Sequence, residues 1–224
     1  MTATTNIACI TCNREVQEAI YDGTFYPNLL TIMSAFIAVT VIVIILSFIS
    51  AKGQSSSRLD DPNYLTTTPV DTASMILGIG LGGFIDAILL HQILQWHEML
   101  SYRIPPTTVV FKSVNMFWDG IFHAFTLVAT LTGVIMFWRS MRRNDANKSG
   151  FLLAGGMMKG WAIFNIVEGL IDHHLLKLHN VKELSSSPEG WNFGFLGLSV
   201  LLLIAGILTS RKASMHHSMK KTML

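Results

Sequence analysis

Thr72-Ala73-Ser74-Met75-Ile76-Leu77-Gly78-Ile79-Gly80-Leu81-Gly82-Gly83-Phe84-Ile85-Asp86-Ala87-Ile88-Leu89-Leu90-His91-Gln92-Ile93-Leu94 is the stretch on which the reading of this chain turns. As a helix it is long enough to cross a hydrocarbon core, which takes about 20 residues. Lipid offers backbone N–H and C=O groups no water, so such a segment has to be helical. Yet it carries two ionisable groups, Asp86 and His91, toward its far end. Four more apolar stretches surround it, covering residues 29–49, 114–138, 151–171 and 191–210. The composition agrees: 50% of residues are hydrophobic, only 13% are charged, and the mean hydropathy is +0.46. A soluble domain carries about a quarter charged residues. Much of this surface therefore faces lipid, the first partner the sequence implies.

The expected fold is all-α: a polytopic membrane helix bundle with five transmembrane helices, a four-helix core over 72–210 preceded by an extra span at 29–50. Residues 1–28 form an N-terminal extracytoplasmic segment, 51–71 a linker and 211–224 a basic tail. Residues 1–28 lack a basic start and a small-residue cleavage site, so the first span reads as a retained helix rather than a signal peptide. Basic residues set the orientation. Lys52, Arg58, Arg139, Arg142, Arg143, Lys148, Arg211, Lys212, Lys220 and Lys221 fall on one side, against Arg14, Arg103, Lys112, Lys177 and Lys182 on the other. The positive-inside rule places the first set in the cytoplasm. The N-terminus is then out, the C-terminus in, and the membrane a cytoplasmic (inner) one. A net charge of +2 gives nucleic-acid binding no support.

Under this topology six of the eight histidines gather at the outer face, the side of the periplasm or exterior. His91 and His97 end the second span, His123 begins the third, and His173, His174 and His179 end the fourth. Asp86, Glu98, Asp119, Glu168 and Asp172 follow the same distribution. Ionisable groups inside a span are costly and face the bundle interior, paired or functional. Asp119 and His123, and Glu168 and Asp172, are four residues apart and share helical faces, and His179 is seven beyond Asp172 if the helix continues that far; His91 and Glu98 are seven apart, and His97, eleven after Asp86, shares its stripe. Imidazole and carboxylate together ligate iron, copper, zinc or manganese, and a second carboxylate fixes the tautomer of a ligating histidine. The candidate ligands are His91, His97, His123, His173, His174, Glu168 and Asp172, with Asp86, Asp119, Glu98 and His179 supporting them.

The plainer alternatives are interhelical hydrogen bonds for Asp119 with His123, and simple solvation for His97 and His179 near the interface. Gly78, Gly80, Gly82 and Gly83 read first as a close-packing face, although the same smooth surface suits a flat haem. Cys9-Ile10-Thr11-Cys12 is a CxxC pair on the outer side, available for a disulfide or a metal. Asn13 stands where a c-type haem motif needs histidine. His216 and His217 lie in the basic tail and read as solvated.

The run Gly82 to His97, the run Glu168-Gly169-Leu170-Ile171-Asp172-His173-His174-Leu175-Leu176-Lys177-Leu178-His179, and Asp119-Gly120-Ile121-Phe122-His123 between them resemble the bacterial predicted membrane proteins of the domain of unknown function 2243. The resemblance covers the second to fifth spans. It implies a four-helix core and brings no activity with it. In that family's pattern a second histidine follows the first at two places where this chain has Glu98 and Asn180. The first span and the CxxC segment are additions to the core.

Three functions follow as expectations. The first is a membrane metalloprotein with a mono- or dinuclear site, an oxidoreductase or a hydrolase. The second is a b-type haem protein, with axial ligands such as His91 with His123 or His173. The third is a non-enzymatic metal-handling protein, transporter or accessory subunit of a respiratory or oxidase complex, with a membrane partner or a second copy of the chain. Transport needs a polar path toward the cytoplasmic half, where Lys159 is the main ionisable residue. No P-loop, GxSxG elbow or HExxH motif is present, since His97-Glu98 is followed by Met99-Leu100-Ser101.

Overall fold

The structure is a computed structural model and describes residues 13–58 and 65–222. Cys9 and Cys12 lie outside these residues, as do the side chains of His216 and His217. Among the described residues the chain is six helices: α1 (Arg14–Ile20), α2 (Phe25–Arg58), α3 (Thr68–Asp86), α4 (Val109–Met141), α5 (Gly150–Glu168) and α6 (Pro188–Thr222). Five are long and apolar enough to cross a membrane, over Phe25–Val43, Thr68–Ile93, Val109–Met141, Gly150–Leu175 and Pro188–Ala213. Their outward surfaces are what lipid requires: Leu201 is 64% exposed, and Ile85, Leu127, Val128 and Phe193 face outward with it.

Local sequence sets the ends. Asn13, Thr108 and Ser149 each accept a backbone N–H of the first turn, capping α1, α4 and α5, and Pro69 opens α3 where no intrahelical donor is needed. α3 and α5 form the centre of the bundle, with α4 packed on α3 and α6 on α5. They cross where side chains vanish. A Cβ on Gly78 would run into the backbone of Met157, and one on Gly160 into the backbone of Met75. Small residues permit this approach, and van der Waals contact between backbones replaces the hydrophobic drive that lipid lacks. α2 lies along the other side of the core. Its Phe36 stacks on Phe125 of α4 at 3.7 Å between ring centroids, and Ile32, Val39 and Val43 are buried with it.

The helices carrying the histidines end differently from the sequence expectation. α3 passes into a π-helical stretch, Ala87–Ile93, and α5 into another, Gly169–Leu175. Each then stops at once. Leu94 and Leu176 donate to carbonyls five residues back, and Trp96 and Leu178 to carbonyls six back. One residue in each, Gln95 (φ 50°) and Lys177 (φ 49°), turns left-handed, reversing the chain so that the following residues fold back over the helix end. His97 and His179 therefore reach the bundle from loops, not as continuations of a helical stripe. Those two loops clasp each other: Tyr102 N–H donates to the Leu178 carbonyl and Glu183 N–H to that of Trp96, both at 3.0 Å.

Candidate metal centre

The two π-terminated segments are copies of one motif. An acid, a histidine five residues later and a second histidine six beyond that recur at one interval: Asp86 with Glu168, His91 with His173, and His97 with His179. The same interval relates Gly78 to Gly160, Met75 to Met157 and the two left-handed residues. It relates hydrogen bonds as well. His97 Nδ1 donates to the Val181 carbonyl at 2.8 Å, and His179 Nδ1 to the Met99 carbonyl at 3.1 Å. Each half thus orients the loop histidine of the other. The two rings stack at 4.5 Å with planes 5° apart, on the approximate twofold axis between the α3–α4 and α5–α6 hairpins.

Around that axis the ligand atoms converge. His91, His97 and His179 offer atoms within 4.8 Å of one another, as do Glu168, His173 and His179, and Asp86, His91 and Glu168. The three sets overlap and make one centre of four imidazoles and two carboxylates, all buried. Its polarity is aimed inward. His91, His97, His173 and His179 each have an Nε2 without a hydrogen-bond partner, and Asp86 Oδ2 and Glu168 Oε2 are in the same state. Asp86 Oδ2 stands 3.1 Å from His91 Nε2 and 4.0 Å from His97 Nε2; Glu168 Oε1 stands 3.8 Å from His179 Nε2.

The Nδ1 contacts determine which nitrogen is free. A carbonyl only accepts, so the protons of His97 and His179 sit on Nδ1 and the lone pairs on Nε2 face the centre. Burial, followed by the nearby His91 and His179, pulls His97 well below its ordinary imidazole range. Burial and then His91 lower His179 to about 4, against an opposing pull from Asp86. Both rings are neutral at physiological pH, the state a ligand must be in. His91 Nδ1 is paired at 2.9 Å with Asp119 Oδ1, which also accepts the Met99 N–H at 2.9 Å. Carboxylate, imidazole and ligand-facing Nε2 in line form the arrangement that holds metal-bound histidines in place. Residues six-deep in buried, inward-aimed donors fit a metal ion: an unpaired buried polar group costs about 1–3 kcal/mol, and coordination would satisfy several at once.

The other sequence candidates have distinct places. His123 is turned along its own helix, Nδ1 on the Asp119 carbonyl at 2.6 Å, and stands outside the three ligand sets. His174 bonds the Gly169 carbonyl at 2.6 Å and faces Phe193. Asp172 is buried beside the centre with Oδ1 unpaired and belongs to none of the ligand sets. Glu98 is buried and ion-paired with Lys112. Sequence reasoning gave Asp86 and His179 supporting places, whereas the structure sets both among the converging atoms. The missed signal was the repeat itself. It shows only when the two runs are aligned by their acids, because Trp96 stands opposite Leu178 and Leu90 opposite Asp172.

The family comparison agrees with a membrane-spanning chain. Residues 73–213 match the family described as Predicted membrane protein (DUF2243). The chain belongs to that family. No curated protein and no solved structure matches it. The DUF2243 region runs from within α3 to within α6 and contains all six converging residues, while α1 and α2 precede it.

Proposed function

We propose that this DUF2243 protein is an integral membrane metalloprotein whose ion or ion pair is held by Asp86, His91, His97, Glu168, His173 and His179. The observation that carries this reading is the convergence of three overlapping ligand sets, each within 4.8 Å, across an approximate twofold axis. Four nitrogens and two carboxylates are a donor set suited to iron, zinc, manganese or copper, and the paired half-sites favour two ions over one. An ion there would supply Lewis acidity or redox chemistry to an oxidoreductase or hydrolase. The protein's own contribution is to fix the tautomers through Val181, Met99 and Asp119 and to bury the centre.

Compactness favours a bare ion over haem b. The rings of His91 and His97 are 4.4 Å apart and those of His173 and His179 4.8 Å, with carboxylates filling the gaps, so a macrocycle would have to displace ligands it needs. Following the distribution of basic residues, the centre faces the periplasm or exterior from an inner membrane. Toward the other end Lys159 is already paired with both Asp71 oxygens at 2.6 Å, and Ser210 joins them; this closed set serves packing better than an ion path.

The test is elemental analysis with an optical spectrum on protein extracted gently from native-like membranes. A transition metal at one or two equivalents, lost in His91→Ala and His173→Ala alike, is the expected result. Protein that binds no added iron, zinc, manganese or copper, or mutants with unchanged metal, would overturn the assignment; a Soret band would transfer it to haem.

A further inference from the structure

The approximate twofold symmetry makes one difference between the halves informative. The α4–α5 side and the α6–α3 side of the bundle are covered differently. The first is filled by the protein itself. Phe36 of α2 stacks on Phe122 and Phe125, Phe25 lies 5.4 Å from Trp118, and Phe122 in turn stacks on Phe164 of α5. The second stays open as a cavity of about 500 Å³, walled by Ile85, Leu89, Trp161, Phe195 and Leu198. Leu198 is 67% exposed on the lipid-facing side.

Besides the exposed Ser187, two buried polar side chains interrupt this apolar wall. Asp86, a member of the centre, is one; Asn165, one turn before Glu168, is the other. Both are more than nine-tenths buried, and Asp86 Oδ2 and Asn165 Oδ1 have no hydrogen-bond partner. At the rim Trp96 and Trp191 meet edge to face at 5.1 Å, with the Lys182 ammonium over both rings, the residue types that sit at a membrane–water boundary. A second apolar groove of about 680 Å³ shares Ile85, Leu89 and Trp161 with the first and leads away along α3 and α5 over Gly78 and Gly82.

We propose that the α3–α6 cavity binds a membrane-dissolved lipid with one long apolar tail and an uncharged hydroxyl head, and presents that head to the metal centre. The head meets Asn165 and Asp86, and the tail leaves through the second groove. The unpaired oxygens of Asp86 and Asn165 accept hydrogen bonds, so a hydroxyl head fits them by donating, whereas a carboxylate or phosphate head would set acceptor against acceptor there. The assignment rests on the six-residue centre as the seat of the chemistry and names what reaches it.

The probe is a long-chain fatty alcohol carrying a diazirine, photolysed with the purified full-length protein in lipid nanodiscs and mapped by peptide mass spectrometry. Labelling is expected on segments 85–96 and 187–198. Gly194→Phe fills the cavity from a position where an added Cβ meets nothing within 4 Å, and should lower labelling about tenfold. Gly197→Phe, equally unobstructed and on the same helix, lies off the cavity wall and should leave labelling unchanged. Asn165→Leu should cost about tenfold, the effect of one unmade buried hydrogen bond, and the carboxylate analogue of the probe should label several-fold less than the alcohol. Labelling indifferent to Gly194→Phe, or equal for alcohol and carboxylate, would overturn the proposal as ordinary surrounding lipid. Metal content measured on the same samples separates the two readings: metal-replete protein without cavity labelling removes the lipid site alone, and cavity labelling of metal-free protein keeps the lipid site while removing the centre.

Discussion

At the scale of single residues, the centre depends on which imidazole nitrogen is held and which is free. Asp119 holds His91 through Nδ1 and is itself held by the Met99 N–H. Asp119→Asn keeps the shape but weakens the acceptor, and metal affinity should fall about 10–100-fold, the usual effect of losing such an outer carboxylate; competition with a chromophoric chelator measures it. The second half has no equivalent, since the matching position is Leu201. His173 consequently has both ring nitrogens unpaired. His97→Ala and His123→Ala form the sharper contrast: the first should abolish stoichiometric binding, the second should leave it intact, because His123 Nδ1 is spent on its own helix. Equal loss in both would place the ion elsewhere. The gathering of acids and histidines at one end of the bundle was legible in the sequence, because ionisable groups in a span have few other uses; the burial of His97 and His179 was not, since both lie beyond the helix ends and could equally have been solvated. Which acid serves which histidine was not, since that is settled by loop carbonyls from residues such as Val181 and Met99, whose side chains say nothing of it.

At the scale of elements, all five spans were legible, because apolar length has one physical reading in a membrane protein. Their ends near the centre were not. The sequence expectation ran helical periodicity through Leu94 to His97 and left His179 on a continuing α5, while the chain passes through π-helical turns and reverses at Gln95 and Lys177. Left-handed turns are ordinarily marked by glycine or asparagine; here a glutamine and a lysine take that conformation, so no sequence signal was available. A left-handed residue lacking glycine's freedom stores strain, and such strain clusters at functional sites. The replacements Gln95→Gly and Lys177→Gly should therefore raise thermal stability modestly, by less than about 1 kcal/mol, without removing metal. The α3–α5 crossing behaves oppositely. Gly78→Val and Gly160→Val drive a side chain into backbone and should each cost about 1–3 kcal/mol by overpacking. Gly120→Val, which meets nothing within 4 Å, should cost far less; melting of detergent-solubilised protein followed by size exclusion ranks the three.

At the scale of the whole molecule, two similar hairpins close on one centre, and the halves have diverged around it: Asp119 and the α2 plug on one side, Asp172 and an open cavity on the other. A doubled architecture of this kind places its centre at one end of the bundle, capped by loops 94–108 and 176–187, so the direction in which the protein is inserted decides which compartment the centre adjoins. Ten of the 16 basic residues lie at the opposite end, in the last turns of α2 or in the C-terminal part of α6, and the positive-inside rule assigns such a surface to the cytoplasm. Leu184 is 95% exposed in the capping loop, and Lys148 is exposed in the α4–α5 loop at the far end. In a background with Cys9→Ser and Cys12→Ser, Leu184→Cys should react with a membrane-impermeant maleimide in intact expressing cells, and Lys148→Cys only after permeabilisation. The inverse pattern would turn the centre toward the cytoplasm, exchange the compartments of its loops and the CxxC segment, and leave the geometry of the six ligands and the lipid-facing cavity unchanged, because both are set inside the bundle rather than by the side it faces.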